Sequence, residues 1–403
     1  MDIHTTDDAV TRRIKAIADR ASDAKEKDLY FYNQPVQEIL PGMKVRVNGR
    51  LMGMYASYSY LGLVNHPRIN EAAKKAVDKY GTGTHGVRSL AGTLTIHTEL
   101  EETIANFKHA EAAITYSSGY ATNLTVVSTM MGRGDYVFSD KLNHASIVDG
   151  CLMSGAEFRR FRHNDMAHLE GLLKNAPASV TKMVIADSVF SMDGDIINLP
   201  KVAGLCKKYN AWLMIDEAHS VGVLGKTGTG IEEHFDMYDT IDIKMGTLSK
   251  TIPSVGGYVA GKKDLIDYLR HASRAYIFSA ALPPAQAAAA NESFKVILDE
   301  PERIEKLNLN TKQFINGLKG MGFDTMLSET AIVPVLCGDD MTAFRMTAEA
   351  QHNDVFVLPV VSPAVPEGLS RLRATVTAGH DPSEIERAME VIGEAGKKLG
   401  LIN

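Results

Sequence analysis

From about residue 110, short apolar runs of five or six residues alternate with amphipathic stretches. Runs of this length without helical periodicity are typical of strands that are buried on both faces. They are AAITY (112–116), DYVFSD (135–140), KMVIAD (182–187), AWLMID (211–216), DIKMG (242–246) and GGYVAG (256–261). Helical patterns such as LPKVAGLCKKYN (199–210) lie between several of them. The alternation predicts an α/β fold with a mainly parallel central sheet that is covered by helices.

The chain before this region predicts a different structure. The first 30 or so residues have an amphipathic helical pattern, which indicates an N-terminal arm. Asn48-Gly49 lies between two short alternating runs, and this dipeptide is a strong signal for a tight β-hairpin. A helix is then expected to begin near Pro67, because proline suits the first helical turn, and to end at Gly81.

The pattern changes again towards the C-terminus. Pro283-Pro284 opens an alanine-rich helical stretch, and after Pro301 further helical stretches accompany the apolar runs AIVPVLC and SRLRATVTA. We therefore expect a smaller α+β domain at this end of the chain. The predicted division is an arm and hairpin over residues 1–60, a large domain over 61–289 and a small C-terminal domain over 290–403.

Composition restricts the class of partner. The 403 residues are 45% hydrophobic and 23% charged, with a formal net charge of -6. Nucleic-acid-binding proteins favour a basic face, so nucleic acid is not expected as a partner. The three cysteines are far apart and form no CxxC pair, and no metal site is expected. The polar N-terminus and the lack of an apolar run of roughly 20 residues predict a soluble cytoplasmic protein without an integral membrane segment.

The run AWLMID ends in Asp216, which begins the sequence DEAH. A carboxylate at a strand end is costly to bury unless it meets a cation. Three interpretations are open: a solvated loop carboxylate, a nucleotide-driven motor, or a partner for the protonated pyridine nitrogen of pyridoxal 5'-phosphate (PLP). The motor requires a phosphate loop before this strand, whereas the nearest match, SVGVLGKT (220–227), follows it and begins with serine instead of glycine.

The PLP interpretation requires a lysine further along the chain, and Lys250 meets this requirement. It lies between the runs DIKMG and GGYVAG, although lysine is almost never fully buried without a partner. As a Schiff base it would anchor the cofactor covalently. The nearby hydroxyl groups of Thr247 and Ser249 suit a phosphate.

The segment TYSSGYATN (115–123) predicts the rest of the phosphate site. A strand runs into Ser118, Gly119 and Tyr120, where a helix is expected to begin. Free backbone N–H groups at a helix start favour an anion, and the serine hydroxyl adds a donor. The alternative is an ordinary helix N-cap.

Three further side chains follow predicted strands. His144 is placed where an aromatic ring would stack on the cofactor and hydrogen-bond a substrate, although a histidine there is more often packed or at the surface. Ser191 lies beyond another strand end, and His219 follows Asp216. Either Ser191 or His219 would reach the phenolic oxygen of the cofactor.

Arg371 and Arg373 occupy alternate positions of a predicted strand, so both face the same side. One of them would grip a substrate carboxylate, because the arginine fork matches carboxylate geometry. A charged hydrogen bond of this kind contributes roughly 1.5 to 3 kcal/mol. The alternative is an edge strand with two solvated arginines.

These segments together resemble the α-oxoamine synthases, a family of PLP-dependent enzymes of fold type I. The similarity extends from about residue 57 to residue 380. The matching segments are YGTGTHGVRSLAGTLTIHTELE (80–101), SSGYATN, LNHASIVDG, SVFSMDGD, IDEAHSVGVLG, GTLSK and FSAALPP (278–284). The implied fold is the type I PLP-dependent transferase fold, with a mainly parallel sheet and a smaller α+β C-terminal domain.

The resemblance implies a role for each candidate. The catalytic residues would be Lys250, His144, Asp216 and His219, with Lys250 both holding PLP and removing the α-proton of the substrate. The cofactor-binding residues would be Ser118, Gly119, Tyr120, His144, Ser191, Asp216, His219, Thr247, Ser249, Lys250 and Ser279. Ser279 would reach the phosphate of the partner subunit, since the resemblance implies an obligate homodimer with shared active sites. Arg373, less favourably Arg371, would bind the carboxylate of the amino acid.

The implied activity is a decarboxylative Claisen condensation. A small amino acid (serine, alanine or glycine) would react with an acyl thioester, carried by CoA or by an acyl-carrier protein, to give an α-amino ketone. A PLP-dependent aminotransferase or aldolase of the same fold is the alternative. A non-enzymatic subunit is a third class, which the retained Lys250, Asp216 and His144 disfavour. Ser59 stands where the family usually carries Asn or Asp near the substrate carboxylate, so it is a candidate substrate-binding residue.

Overall fold

The computed structural model of the chain describes residues 8–403, and residues 1–7 of the predicted arm lie outside the described part. The strands are β1 (Val36–Leu40), β2 (Lys44–Val47), β3 (Arg50–Met54), β4 (Ala112–Tyr116), β5 (Tyr136–Asp140), β6 (Glu157–Phe161), β7 (Lys182–Asp187), β8 (Trp212–Asp216), β9 (Ile243–Ser249), β10 (Pro253–Gly261), β11 (Ile332–Gly338), β12 (Val355–Phe356), β13 (Leu358–Val360) and β14 (Ser370–Thr375). The helices are α1 (Ala9–Glu26), α2 (Pro67–Tyr80), α3 (Thr95–Phe107), α4 (Gly119–Met130), α5 (Ala145–Ser154), α6 (Met166–Asn175), α7 (Leu199–Tyr209), α8 (Ile231–Phe235), α9 (Lys263–Ala272), α10 (Arg274–Ile277), α11 (Pro284–Asp299), α12 (Glu302–Gly320), α13 (Asp340–His352) and α14 (Pro382–Lys398).

The centre of the molecule is a seven-stranded sheet in the order β4-β10-β9-β8-β7-β5-β6. All neighbours from β9 to β6 are parallel, and β10 is antiparallel to both β9 and β4. The predicted, mainly parallel sheet is therefore confirmed, and each of the six apolar runs forms one of its strands. The apolar pattern missed β6, because this edge strand has the polar sequence EFRRF and is mostly exposed.

Two apolar cores cover the two faces of this sheet. Side chains of one strand alternate between the faces: Val184 and Ala186 of β7 lie in one core, whereas Met183 and Ile185 lie in the other. Both faces are apolar because helices cover both, which is why these strands read as continuous apolar runs. Because the faces of the sheet are covered, a ligand-binding site can form only at the ends of the strands.

The C-terminal part has a sheet and a core of its own. The strands β11, β14 and β13 form an antiparallel sheet, whose residues Val333, Leu372 and Ala374 pack with α13 and α14 in a third core. Helix α11 runs across residue 290 and packs against α2 and α3. The predicted boundaries at residues 60 and 290 stay predictions.

The N-terminal hairpin is present and joins the C-terminal part. Asn48 and Gly49 both have positive φ angles, 49° and 76°, and β2 pairs with β3 in antiparallel register across them. This is the backbone conformation that the Asn-Gly dipeptide favours. Strand β3 then pairs in parallel with β12, which closes a four-stranded sheet β1-β2-β3-β12. In residues 8–403, no helix combines the length and the apolar character that a bilayer span requires.

Candidate active site

The predicted cofactor residues meet at one cavity of about 270 Å³, at the carboxyl ends of β4, β5, β7, β8 and β9. A sheet of this kind collects ligands at that edge. A larger cavity of about 840 Å³ lies at the opposite edge and contains none of the predicted residues. The predicted residues that line the smaller cavity are Ser118, Gly119, Tyr120, His144, Ser191, Asp216, His219, Thr247, Ser249 and Lys250.

Lys250 lies in the connection between β9 and β10, because β9 extends to Ser249, three residues beyond the predicted strand end. The Lys250 Nζ atom lies 2.8 Å from Nε2 of His219. Burial lowers the pKa of Lys250 to about 8, against the opposing charges of Asp216 and Asp187. The amine is therefore uncharged in far more molecules near neutral pH than an ordinary lysine amine would be.

His219 lies between Lys250 and the hydroxyl group of a buried tyrosine. Its Nδ1 atom lies 2.6 Å from the hydroxyl oxygen of Tyr60. Burial holds the pKa of His219 well below its usual value, so the ring is neutral and carries one proton. We assign the Tyr60 hydroxyl as the donor to Nδ1, because the nearby charge of Arg373 favours the oxygen lone pairs. Nε2 then bears the proton and presents an N–H group beside Lys250.

Two donors fix the carboxylate of Asp216 at the end of β8. The backbone N–H of Ala218 donates to one oxygen at 2.9 Å, and the side-chain amide of Asn123 donates to the other at 2.7 Å. The Asn123 amide also bonds Ser146 Oγ at 3.0 Å, and that oxygen lies 2.7 Å from Nδ1 of His144. Asp216 and His144 are thus oriented by one shared network. Asn123 was missed, although it lies four residues after Gly119 and so on the same face of α4.

A second carboxylate, Asp187, stands beside Asp216 in the register of β7 and β8. Its Oδ2 atom accepts the backbone N–H of His144 at 3.1 Å, and its Oδ1 atom has no hydrogen-bond partner within residues 8–403. Burial, followed by the charge of Asp216, holds the pKa of Asp187 well above its usual value. Asp187 therefore ionises less readily than an ordinary aspartate.

The start of α4 forms the other end of the cavity. Ser118 caps the helix, and its Oγ atom accepts the backbone N–H of Ala121 at 3.1 Å. The hydroxyl oxygens of Thr247 and Ser249 lie 2.9 Å apart. A Cβ atom on Gly119 would lie 2.9 Å from Thr247 Oγ1, so glycine lets the helix start approach these hydroxyls. The first N–H groups of a helix lack intrahelical acceptors, and together with the hydroxyls they suit a phosphate.

Arg371 and Arg373 extend from the same face of β14 towards the loop at residues 191–193, and Arg371 is bound by the protein through Nε and Nη1. It is 1% exposed. It donates from Nε to the carbonyl oxygen of Leu369 at 2.8 Å and from Nη1 to Asp193 Oδ1 at 2.8 Å. Arg371 therefore holds the loop in place.

Arg373 keeps one donor free. Its Nε atom donates to the carbonyl oxygen of Ser191 at 2.7 Å, and Nη1 donates to Thr375 Oγ1 at 3.0 Å. Nη2 is buried and makes no hydrogen bond of good geometry within residues 8–403, although the Tyr60 hydroxyl is close enough for Arg373 to act on its pKa. The ring of Tyr58 lies 4.8 Å from the guanidinium carbon and 5.7 Å from Lys250 Nζ, so it flanks both groups. A buried donor without a partner is costly, which indicates that a ligand completes it.

Two predicted residues lie away from the Lys250 cavity. The Oγ atom of Ser59 is buried, lines a separate apolar cavity of about 150 Å³ and has no hydrogen-bond partner in the described chain. The neighbouring Tyr58 faces Lys250 instead, its ring centroid 5.7 Å from Nζ. Ser279 lies beside Ser117 in a small hollow next to the start of α4. The roles predicted for Ser59 and Ser279 stay predictions.

Known proteins are similar in sequence to nearly the whole chain. Residues 55–392 match the family model described as aminotransferase class I and II. The 8-amino-7-oxononanoate synthase of Thermoanaerobacter pseudethanolicus is 41% identical over 387 residues, which are 96% of this chain and 98% of that protein. The serine palmitoyltransferase of Bacteriovorax stolpii is 41% identical over 388 residues, 96% of this chain and 92% of that protein. The chain belongs to the α-oxoamine synthase family.

A solved structure of an α-oxoamine synthase shares the fold. It is a serine palmitoyltransferase variant from S. paucimobilis with a bound PLP–myriocin aldimine. It matches with a TM-score of 0.95 at 33% identity and covers 98% of this chain and 100% of that chain. The type I fold and the dependence on PLP, both predicted from the sequence, are confirmed.

The residues of the cavity fit PLP. Lys250 offers an amine that loses its proton more readily than an ordinary lysine does, and Asp216 offers a fixed carboxylate, which suits a protonated pyridine nitrogen. At the opposite end, the start of α4 and the hydroxyls of Thr247 and Ser249 form a cradle for a phosphate. Glu217, the second residue of DEAH, points elsewhere and pairs with the buried Lys108 at 2.7 Å.

The lowered pKa of Lys250 has a kinetic consequence. Because only the uncharged amine reacts with PLP, we expect the rate of PLP attachment to apoprotein to rise with pH and to level off above about 8. An ordinary lysine, with a pKa of 10.5, would keep accelerating well beyond that point. Stopped-flow absorbance after mixing apoprotein with PLP measures this rate. The exposed Lys201→Ala variant should give the same profile, and a rate that still climbs steeply at about pH 10 would contradict the assignment.

Proposed function

We propose that this α-oxoamine synthase condenses a small amino acid with an acyl thioester and releases CO2 and the thiol. The observation that carries the proposal is the free Nη2 donor of Arg373, buried beside Lys250 and Tyr58. A carboxylate is the group that matches a guanidinium with a vacant donor. A site with Lys250, PLP and this arginine is suited to an α-amino acid.

The reaction balances as follows. The α-proton of the amino acid is removed, and its Cα forms a bond to the carbonyl carbon of the thioester. The carbon–sulfur bond breaks, and the thiol leaves with a proton. The original carboxylate is then lost as CO2, and Cα is reprotonated, which leaves an α-amino ketone. When bound, PLP supplies the electron sink that stabilises negative charge at Cα.

The side chains of the cavity supply binding, orientation and proton transfer. Arg373 would hold the carboxylate, while Asp216 would keep the pyridine nitrogen protonated. Lys250 Nζ would hold PLP covalently, and once displaced it would take the α-proton and later return one. His219 would direct its Nε2–H group at the phenolic oxygen, with Ser191 as a second donor. His144 would pack over the ring, held by Ser146.

The proposed partners are an amino acid and an acyl thioester. Serine, alanine and glycine are the proposed amino acids, and the acyl group arrives on CoA or on an acyl-carrier protein. The two relatives above, an 8-amino-7-oxononanoate synthase and a serine palmitoyltransferase, have different names but the same identity to this chain, 41% each. Sequence identity therefore does not show which acyl group this enzyme uses. We place the reaction in the cytoplasm.

A homodimer with shared active sites is part of the proposal. Leu90 is 84% exposed and Phe278 is 72% exposed. Their two segments are joined by a β-bridge between Val87 and Ala280, so both apolar side chains lie on one region of the surface, near Ser279. Large exposed apolar residues in one patch favour a protein partner. A second copy of the chain would bury them and bring Ser279 towards its phosphate site.

A substrate panel tests the proposed function. Serine, alanine and glycine are each added to the PLP-loaded protein, and the change in visible absorbance measures amino-acid binding. Each is then combined with short and long acyl-CoA and with an acylated carrier protein, and thiol release and CO2 are followed. We expect stoichiometric thiol and CO2 with at least one pair. Amino transfer to a 2-oxo acid without thiol release would instead support an aminotransferase.

A further inference from the structure

His163 lies outside the cavity, in the loop after β6, yet both of its ring nitrogens are engaged. Nδ1 lies 3.0 Å from Asp140 Oδ1, and Nε2 lies 2.8 Å from Asp195 Oδ2. The ring meets Phe190 edge-on, with 4.3 Å between the ring centroids. Because each nitrogen faces a carboxylate oxygen, the ring donates from both.

The two carboxylates belong to segments that lead into the active site. Asp140 is fully buried at the end of β5 and also accepts the backbone N–H of Asn164 at 2.8 Å, and the connection that follows it leads to His144 at the start of α5. Asp195 belongs to the loop that follows β7. The histidine therefore ties together the connections after two neighbouring strands of the sheet.

The loop with Asp195 is a closed turn that holds Arg373. The backbone N–H of Phe190 donates to the carbonyl oxygen of Asp195 at 3.1 Å, and that of Gly194 donates to Phe190 at 2.8 Å. Residues 190–195 therefore move as one unit. Within this turn, the carbonyl oxygen of Ser191 accepts Nε of Arg373. A displacement of Asp195 would reach the guanidinium through this bond.

The imidazole ring of His163 stays positively charged near neutral pH. Burial alone would lower the pKa of His163, but the hydrogen bonds and charges of Asp140 and Asp195 outweigh it and raise the pKa to about 10. Two charge-assisted bonds are stronger than neutral ones and fix the ring more tightly.

We propose that His163 is a positioning residue for the amino-acid carboxylate. His163 holds the turn 190–195 against the end of β5 as a clamp. The turn, held in this position, orients Arg373 towards the substrate. This inference rests on the proposed function, because the carboxylate bound by Arg373 is part of it. The clamp lies outside the cavity and does not touch Lys250, so we expect PLP to stay attached when the clamp is lost, although the turn also carries Ser191, the second proposed donor to the phenolic oxygen.

The test compares His163→Ala with wild type in the PLP-loaded enzyme. We expect the Kd of the amino acid, measured by the absorbance change of bound PLP, to rise at least tenfold, because small displacements of a binding group cost roughly 10- to 100-fold. KM for the amino acid should rise in parallel, while KM for the acyl thioester and the PLP content stay unchanged. Added imidazole should restore part of the affinity. His271→Ala, on an exposed histidine of α9, is the control and should have no effect.

A second variant keeps the test decisive if His163→Ala folds poorly. Asp195→Asn conserves shape and weakens only the turn side of the clamp, so we expect a smaller rise in the same Kd. The double variant should be no worse than the worse single variant, because both remove one interaction, whereas two independent losses of stability would add. An unchanged Kd in Asp195→Asn, or additive effects, would overturn the proposal.

The readout separates this inference from the proposed function. Amino-acid affinity is measured without any acyl thioester. If wild type binds the amino acid but releases no thiol from any donor, the condensation is wrong while the effect of the clamp on Kd is still measured. If thiol is released normally by His163→Ala with unchanged amino-acid affinity, the condensation holds and the clamp is rejected.

Discussion

Replacement of Lys250 by alanine is expected to abolish the condensation. The variant loses the covalent link to PLP and the group that moves the α-proton, and no other lysine in the described chain lines the cavity. Losing a covalent catalyst that acts together with its neighbours costs roughly four to six orders of magnitude in kcat. Thiol release measures the activity, and the mass of borohydride-reduced protein shows whether PLP is attached.

Matched variants make this result specific. Lys250→Arg keeps a cation but cannot form the link, so it should be as inactive as the alanine variant. Lys201→Ala removes an exposed lysine and should keep full activity and the PLP mass increment. Activity above about one per cent in Lys250→Ala, against the expected loss, would assign the anchor to another residue.

Replacement of Arg373 by alanine is expected to be the next largest loss. Removing one member of a buried, charge-assisted pair costs about 3 kcal/mol, which corresponds to roughly a 100-fold increase in KM for the amino acid. PLP attachment should be unaffected, since Lys250 and Asp216 are untouched. Steady-state kinetics with the amino acid varied, and the amino-acid Kd from absorbance, measure the effect.

Arg371 provides the comparison, because it lies two residues away on the same face. All the bonds recorded for its side chain go to protein groups, among them Asp193. Arg371→Ala should therefore lower the free energy of unfolding more than it changes amino-acid affinity. If Arg371→Ala produced the larger rise in Kd at unchanged stability, the carboxylate site would belong to Arg371.

The sequence predicted the fold well where burial determines the pattern. The six strands that are covered on both faces read as apolar runs, and each was found at its predicted place. The edge strand β6 was missed because its exposed positions carry charge. The end of β9 was placed three residues early, because Thr247 and Ser249 are polar; they belong to the strand but face the cavity.

The site could be predicted as far as strand ends determine it. Asp216, His144 and Lys250 each follow a strand, so a parallel sheet brings them together. Tyr58 and Tyr60 were missed, because they approach from the N-terminal segment and only the tertiary fold places them near His219 and Arg373. For the same reason the tyrosine that flanks Lys250 was overlooked in favour of Ser59 beside it.

The segments that carry Lys250 and Arg373 are anchored in different apolar cores. Leu248 and Ile252 anchor Lys250 in the core of the large sheet, whereas Leu372 and Ala374 anchor Arg373 in the C-terminal core. Arg373 nevertheless reaches across to the large-sheet side, because its Nε atom donates to the carbonyl oxygen of Ser191 in the turn after β7. The distance between the lysine and the arginine is therefore set by how the two cores pack against each other, and the bond to Ser191 is one point at which the two sides meet.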